Sequence, residues 1–103
     1  MDYIANVELD PVLHQPVRTR LVAYLATRGE ATFTELKQAL ETTDGNLDAH
    51  VKKLVAAKYL KPRKESGEVR AQTTYRLTPA GHNAFQQYVD DLQRLLRFAP
   101  GGG

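Results

Sequence analysis

The sequence feature that most limits the fold is an amphipathic stretch over residues 43–57. Its apolar residues recur at i, i+4, i+7 and i+8, the spacing of one buried helical stripe, at Leu47, Val51, Leu54 and Val55. Thr43 precedes the stripe and can cap the helix, because its hydroxyl can accept a hydrogen bond from the first turn. The opposite face is small, polar and basic, with Asp48 as the exception. Such a face fits the DNA major groove. The simpler interpretation is an ordinary solvated helix.

Short elements flank this helix on both sides. Upstream, Thr32 and Glu35 form a T-x-x-E capping box for a helix through Leu40. Two short helices joined this closely, the second of them amphipathic, form a helix-turn-helix pattern. Downstream, strands over residues 59–65 and 69–77 surround the turn signal Ser66-Gly67 and predict a β-hairpin. Pro62 restricts the first of these strands to a sheet edge or an unpaired position, since proline cannot donate to a ladder.

The remaining helices lie at the two ends of the chain. A first helix begins at Pro16 and ends at Gly29, and we expect its Arg18 and Arg20 to be solvated because both lie off the buried stripe. A last helix begins at Thr78-Pro79, a cap followed by a first-turn proline, and runs to Arg97. The predicted class is α+β, mainly α: a winged helix-turn-helix with a three-helix core, a β-hairpin wing and a long C-terminal helix. It forms one domain over residues 1–97, with a flexible tail at 98–103.

The basic residues are concentrated in one block. The chain carries a net charge of only +2, but residues 52–76 hold eight Lys and Arg against two Glu, or +6, so the rest carries −4. This is the electrostatic footprint of a phosphate-binding surface. The alternative is that basic side chains keep a hairpin soluble. The predicted DNA-binding residues, from the helix face and the hairpin tip, are Thr43, Gly45, Asn46, Ala49, His50, Lys52, Lys53, Arg63, Lys64 and Arg70.

These candidates have different expected roles. Asn46 is the best candidate for a base contact, since an amide can pair bidentately with adenine, and Ala49 can touch a thymine methyl group. His50 either contacts a phosphate or packs at the helix edge, and the two interpretations stay open. We expect phosphate contacts from the cationic residues Lys52, Lys53, Lys64 and Arg70.

The last helix has a longer apolar stripe than a compact three-helix core requires. Its apolar residues recur with a period near 3.5, typical of a helix that packs lengthwise on another helix. We therefore predict that residues 79–97 form a homodimerisation helix, with help from the N-terminal segment. The alternative is that the whole stripe folds back on its own domain. The predicted interface residues are Ile4, Phe85, Tyr88, Val89, Leu92, Leu95 and Leu96.

Several classes of function are disfavoured. The chain has no cysteine, which excludes disulfides, thiolate metal sites and cysteine nucleophiles. Its three histidines, His14, His50 and His82, lie in separate elements, and no carboxylate pair has a catalytic context, so we expect no enzyme, no cofactor and no metal site. Metal sensing through His82 stays open. No run approaches the length of a membrane span, and we expect a cytoplasmic protein with no membrane partner.

The motifs together resemble a known family, the winged-helix DNA-binding regulators related to MarR and ArsR proteins, and most closely its small stand-alone group. The resemblance covers roughly residues 9–96 and rests on Leu9-Asp10-Pro11, His14, Pro16-Val17-Arg18, Phe33 to Lys37, Thr43 to Leu47, His50, Lys53-Leu54 and Thr73 to Gly81. It implies a cytoplasmic, homodimeric, prokaryotic-type transcriptional regulator that binds a two-fold operator in double-stranded DNA.

The sequence departs from that pattern at two places. The family often has Ser-Arg where this chain has Asp48 and Ala49, which removes an arginine and adds a carboxylate beside the groove. The turn between the paired helices has Glu41 and Thr42 where a glycine and an apolar residue are common. A winged helix that binds a protein partner instead of DNA therefore stays open as an alternative. So does a small-molecule effector in a pocket between the last helix and the first, lined by aromatic residues Tyr24, Tyr88 and Phe85.

Overall fold

The computed structural model describes residues 7–66 and 71–97 of the chain. The predicted Ser66-Gly67 turn, the residues Ile4 and Arg70, and the tail at 98–103 lie wholly or partly outside these ranges. The described elements, in chain order, are α1 (Pro16–Arg28), β1 (Glu30–Thr32), α2 (Phe33–Leu40), α3 (Asp44–Ala56), β2 (Leu60–Ser66), β3 (Ala71–Leu77) and α4 (Pro79–Arg97). This order confirms the predicted winged helix-turn-helix fold.

Helix α1 begins and ends where local hydrogen bonds require it. A turn precedes it, in which the Asp10 carboxylate accepts the backbone N–H of Val12 at 2.8 Å. Gln15 then caps the helix by accepting the backbone N–H of Arg18 at 2.8 Å. Gly29 ends it with φ at 92°, a left-handed conformation that glycine adopts without steric cost.

The two helices of the helix-turn-helix are capped as the sequence predicts. Thr32 and Glu35 form both bonds of the capping box, at 3.1 and 2.8 Å. Thr43 caps α3 by accepting the backbone N–H of Asn46 at 3.2 Å. The turn between them contains Glu41 in the left-handed region, with φ at 50°. A non-glycine residue therefore occupies the position where a glycine would be less strained.

The three strands form an antiparallel sheet in the order β1-β3-β2. Ala31 of β1 and Pro62 of β2 both pair with Tyr75 of the central strand. Pro62 therefore lies on an edge strand, as predicted. Thr74 of the central strand β3 is buried, as is its neighbour Tyr75.

One hydrophobic core joins the helices and the inner face of the sheet. Tyr75 and Leu77 of β3 and Tyr88 of α4 close this core from the sheet side and from the last helix. Ala39 of α2 is exposed, although its helical spacing from Leu36 predicts a place on the buried side of the helix. Within the described residues no helix combines the length and the apolar character that crossing a membrane requires. The largest fully buried side chains are Leu13, Leu21, Val22, Leu25, Leu36, Leu47 and Leu54.

Candidate nucleic-acid interface

Helix α3 turns its small and basic face to solvent. Leu47, Val51 and Leu54 are buried in the core, so the opposite side of the helix is held outward. The exposed residues on this side are Thr43, Gly45, Asn46, Ala49, Lys52 and Lys53. Helix α3 thus presents one continuous outward surface of small, polar and basic groups from its N-cap through its third turn.

The amide of Asn46 is partly engaged by the turn that precedes α3. Its Nδ2 donates a hydrogen bond to the Thr42 hydroxyl at 2.7 Å. An asparagine amide has two N–H donors and one oxygen acceptor. One N–H and the oxygen therefore remain, and a bidentate contact with adenine needs one donor and one acceptor.

The two lysines of α3 differ in their surroundings. Lys52 Nζ lies 2.9 Å from the Asp48 carboxylate in an i, i+4 ion pair on the exposed surface. Lys53 forms no ion pair with any residue that the structure describes. Asp48 therefore pairs with Lys52, whereas Lys53 has no carboxylate partner within the described residues.

In the described part of the wing, the two DNA-binding candidates Arg63 and Lys64 differ in whether they form an ion pair. Arg63 Nη2 donates to Glu30 Oε2 of β1 at 3.1 Å, so this arginine joins the wing to the opposite edge of the sheet. Lys64 is exposed, and no ion pair involving it occurs within the described ranges. The third candidate, Arg70, lies outside the described residues.

Arg18 of α1 contacts α3, and the sequence does not predict this contact. Its Nε donates to the carbonyl of Val12 at 2.5 Å, and its Nη1 lies 3.0 Å from His50 Nδ1. The prediction that Arg18 is solvated is therefore wrong. Burial lowers the pKa of His50, and the nearby charges of Arg18 and Lys53 lower it further. The only sequence signal was that Arg18 follows a turn, and no spacing rule links it to His50.

Arg20 was also expected to be solvated, and its guanidinium forms a long-range contact as well. Its Nη2 donates to the carbonyl of Leu40 at 3.1 Å, so it satisfies a backbone acceptor at the end of α2. The residue itself remains exposed. The contact links α1 to the helix-turn-helix.

The apolar stripe of α4 is divided along its length. Tyr88 is buried in its own chain, 4% exposed, and its hydroxyl lies 2.9 Å from His14 Nδ1. Phe85 and Leu92 pack partly against the same core. Toward the C-terminal end, Leu96 is 60% exposed. The surface that remains for a partner therefore lies mainly in the C-terminal half of α4, together with the half-buried Val89 and Leu95.

Two of the aromatic residues predicted to line one pocket, Tyr24 and Tyr88, border different cavities in the described part of the chain. Tyr88 borders a cavity of about 390 Å³ with residues of the turn and of α1, whereas Tyr24 borders a separate one on the other side of Arg20. Phe85 lines neither of these two cavities. No group of three or more His, Asp or Glu side chains suited to a metal ion occurs in residues 7–66 and 71–97.

The sequence is similar to known proteins over most of its length. Residues 17–96 match the family described as a winged helix DNA-binding domain. An uncharacterized protein of Methanocaldococcus jannaschii is 31% identical over 86 residues, which cover 84% of this chain and 94% of that protein.

Solved structures with the same fold include transcriptional regulators. A transcriptional regulator homologue from Pyrococcus horikoshii superposes with a TM-score of 0.84 at 25% identity, covering 94% of this chain and 96% of that one. The MepR protein of Staphylococcus aureus, solved in complex with DNA, gives a TM-score of 0.71 at 15% identity, covering 90% and 76% of the two chains. At 15% identity, the similarity to MepR shows a shared fold only.

Proposed function

The chain belongs to the winged helix DNA-binding domain family, and from this we propose that it is a homodimeric transcriptional regulator of a two-fold operator in double-stranded DNA. In this proposal α3 lies in the major groove, and the wing over residues 60–77 lies on the backbone or in the minor groove. The proposal rests chiefly on the outward face of α3, where the small, polar and basic surface is exposed opposite an apolar side that is buried except for the half-buried Val55.

Two comparisons support this function. The Pyrococcus horikoshii protein, with which the chain shares nearly its whole fold, is a transcriptional regulator homologue. The MepR fold has been solved on DNA. The family is defined by DNA binding, which agrees with the expectation that the chain is not an enzyme. Since its target is genomic DNA, we expect the protein to act in the cytoplasm of a prokaryotic cell.

The proposed partner in the homodimer is a second copy of α4. Leu96 is a large apolar side chain exposed on the single chain, and Val89 and Leu95 are only half-buried. An apolar surface on a helix that continues beyond its own core is suited to a two-fold contact with an identical helix. Two recognition helices are then presented to two operator half-sites.

Salt dependence tests the function directly. If a dimer makes about six to eight phosphate contacts, log K should fall with log salt at a slope of roughly −5 to −7. We expect the purified protein to bind a random-sequence duplex at low salt, as measured by fluorescence anisotropy over a range of salt concentrations. Lys53→Gln should weaken binding and reduce the slope by about 1 per chain.

Lys58→Gln is the matched control, because Lys58 is an exposed lysine beyond the C-terminal end of α3. We expect this change to leave the slope close to that of the wild type. A flat salt titration, or no binding at low salt, would rule out the DNA-binding proposal. A protein partner that co-purifies after nuclease treatment would then favour the alternative, a winged helix used as a protein-interaction module.

A further inference from the structure

We infer that Arg18 of α1 forms a phosphate-binding site together with His50 and Lys53 of α3, and that its ligand is a backbone phosphate of duplex DNA. This inference rests on the proposed function, because it extends the same DNA-binding surface to a helix outside the helix-turn-helix. Arg18 was not among the residues that the sequence indicated for DNA binding.

Arg18 is held in place before any ligand binds. Its Nε donates to the carbonyl of Val12 at 2.5 Å, and its Nη2 lies 3.5 Å from the carbonyl of Pro11. Both acceptors belong to the turn that Asp10 caps. Nη1 is 3.0 Å from Nδ1 of His50. The turn thus fixes the guanidinium beside the recognition helix, which reduces the conformational entropy lost on binding an anion.

The contact with Arg18 also determines the tautomer of His50. A guanidinium only donates hydrogen bonds, so Nδ1 of His50 must be the acceptor. In the neutral imidazole the proton then resides on Nε2, which becomes a single N–H donor. Burial and the charges of Arg18 and Lys53 favour this neutral form by lowering the pKa of His50. His50 is half-buried, so part of the residue remains accessible to solvent.

The charges around His50 have the sign that a phosphate requires. Arg18 and Lys53 are both close enough to act on His50, and neither forms an ion pair with a carboxylate in residues 7–66 and 71–97. Lys52, by contrast, is paired with Asp48. Three of the five N–H groups of Arg18 donate to Val12, His50 and Pro11. The other two have no acceptor within the described residues.

These donors match the chemistry of a phosphodiester. Its two non-bridging oxygens can accept the remaining guanidinium N–H groups and the Nε2–H of His50, while Lys53 supplies a second positive charge. Such a contact positions the protein on the backbone at the edge of the groove and reads no base. Arg18 would thereby couple the position of α1 to the position of α3 on the duplex.

Removal of the Arg18 charge tests the site. We expect Arg18→Gln to weaken binding to a labelled random-sequence duplex roughly tenfold at low salt, and to reduce the slope of log K against log salt by about 1 per chain. The matched control is Arg20→Gln, which removes the same charge from the same helix and also breaks one bond to a backbone carbonyl. The control should change the affinity by less than about threefold and leave the slope unchanged.

The tautomer of His50 provides a second measurement that does not depend on DNA. Imidazole nitrogen chemical shifts should show an unprotonated Nδ1 and a protonated Nε2 in the wild type, and a mixture of tautomers in Arg18→Gln. On addition of duplex DNA, the Nε2–H resonance of the wild type should shift. If Arg18→Gln does not fold, Arg18→Lys replaces it, because lysine keeps the charge but cannot bond to the turn and to His50 in the same geometry.

The outcomes separate this inference from the proposed function. If the wild type binds DNA with the expected salt dependence and the folded Arg18 variant matches it in affinity, slope and His50 tautomer, the Arg18 site is refuted and DNA binding stands. An equal loss in Arg18→Gln and Arg20→Gln also refutes the site, because the effect is then one of general charge. Failure of the wild type to bind duplex DNA at low salt refutes both the Arg18 site and the proposed function.

Discussion

At the scale of single residues, Glu41 shows a local conflict between sequence and backbone. It is one of two non-glycine residues with positive φ in the described part of the chain, the other being Lys58. For an L-residue with a side chain this conformation costs on the order of 1 kcal/mol, yet the turn between α2 and α3 requires it. The short connection of the helix-turn-helix is therefore strained at the position where the family pattern has glycine.

Glu41→Gly should stabilise the fold. Relief of the left-handed strain outweighs the extra chain entropy of glycine in the unfolded state, for a net gain of about 0.5–1 kcal/mol in the free energy of unfolding. Urea denaturation measures this gain in the free energy of unfolding. Glu41→Ala is the control, because alanine removes the same carboxylate but keeps a Cβ, and it should show no such gain. An equal gain in both variants would attribute the effect to the side chain rather than to the backbone.

Tyr59 should make the stability of the protein depend on pH in the alkaline range. The hydrogen bond to the Asp10 carboxylate, at 2.5 Å, raises the pKa of Tyr59 to about 12, with contributions from burial and from the charge of Asp10. Because the unfolded tyrosine ionises near pH 10, its contribution is complete below pH 10 and is lost as the pH rises toward 12. Tyr59→Phe should lose about 1 kcal/mol at pH 7 and match the wild type more closely at pH 11.

Thermal unfolding of both proteins at pH 7 and pH 11 measures this difference, and the absorbance of the phenolate gives the pKa itself. A stability difference that stays constant between the two pH values would contradict the assignment. The reason is that the bond of Tyr59 to Asp10 is made only by the protonated phenol.

At the scale of elements, Gly81 sets the distance between α4 and the segment that joins α3 to β2. A Cβ at this position would lie 2.3 Å from the carbonyl oxygen of Tyr59, a backbone atom that already accepts the N–H of Thr78 at 3.0 Å. Helix α4 begins at this contact, and Thr78 caps it by accepting the backbone N–H of Gly81 at 2.9 Å. The absence of a side chain at residue 81 is thus what lets α4 pack this closely.

Gly81→Ala should destabilise the protein by about 1–3 kcal/mol, because the added methyl group must displace backbone. The control is Gly45→Ala in α3, where nothing lies within 4 Å of the added Cβ. That change should stabilise the fold by about 0.5–1 kcal/mol, since alanine is the better helix former. Chemical denaturation gives the free energy of unfolding of each variant. An unchanged value for Gly81→Ala would mean that α4 shifts at no cost in stability.

At the scale of the whole molecule, the exposed C-terminal half of α4 predicts the oligomeric state. Leu96 is 60% exposed in the single chain, and we expect a partner chain to cover it. Leu96→Glu should weaken dimerisation at least tenfold, because it places a charge in an apolar contact. Sedimentation equilibrium measures the dissociation constant of the dimer. The control is Asn83→Asp, which adds the same charge at an exposed position on the opposite side of α4.

Two results would contradict a dimer formed through α4. A wild type that sediments as a monomer at tens of micromolar, or a Leu96→Glu variant with unchanged association, would show that α4 does not form the dimer. The apolar stripe would then serve only the domain to which Tyr88 and Phe85 already contribute.

Features that depend on near neighbours along the chain could be predicted from the sequence alone. The caps at Thr32 and Thr43, the edge position of Pro62 and the buried stripe of α3 all arise from contacts within a few residues or from one fixed backbone preference. For the same reason the order of elements, and with it the winged-helix fold, could be predicted. The candidate DNA-binding face followed from the fold, because an amphipathic helix has only one side that can face outward.

The contacts between side chains that are distant along the chain could not be predicted, because they depend on tertiary packing. Arg18 reaches His50 across 32 positions, Arg63 reaches Glu30 across 33, and Tyr88 reaches His14 across 74. Such pairs depend on how whole helices and strands pack, and periodicity within one element carries no information about the side chains of another. Packing therefore neutralised one candidate cation of the wing, placed Tyr88 in its own core, and brought an arginine of α1 to the recognition helix.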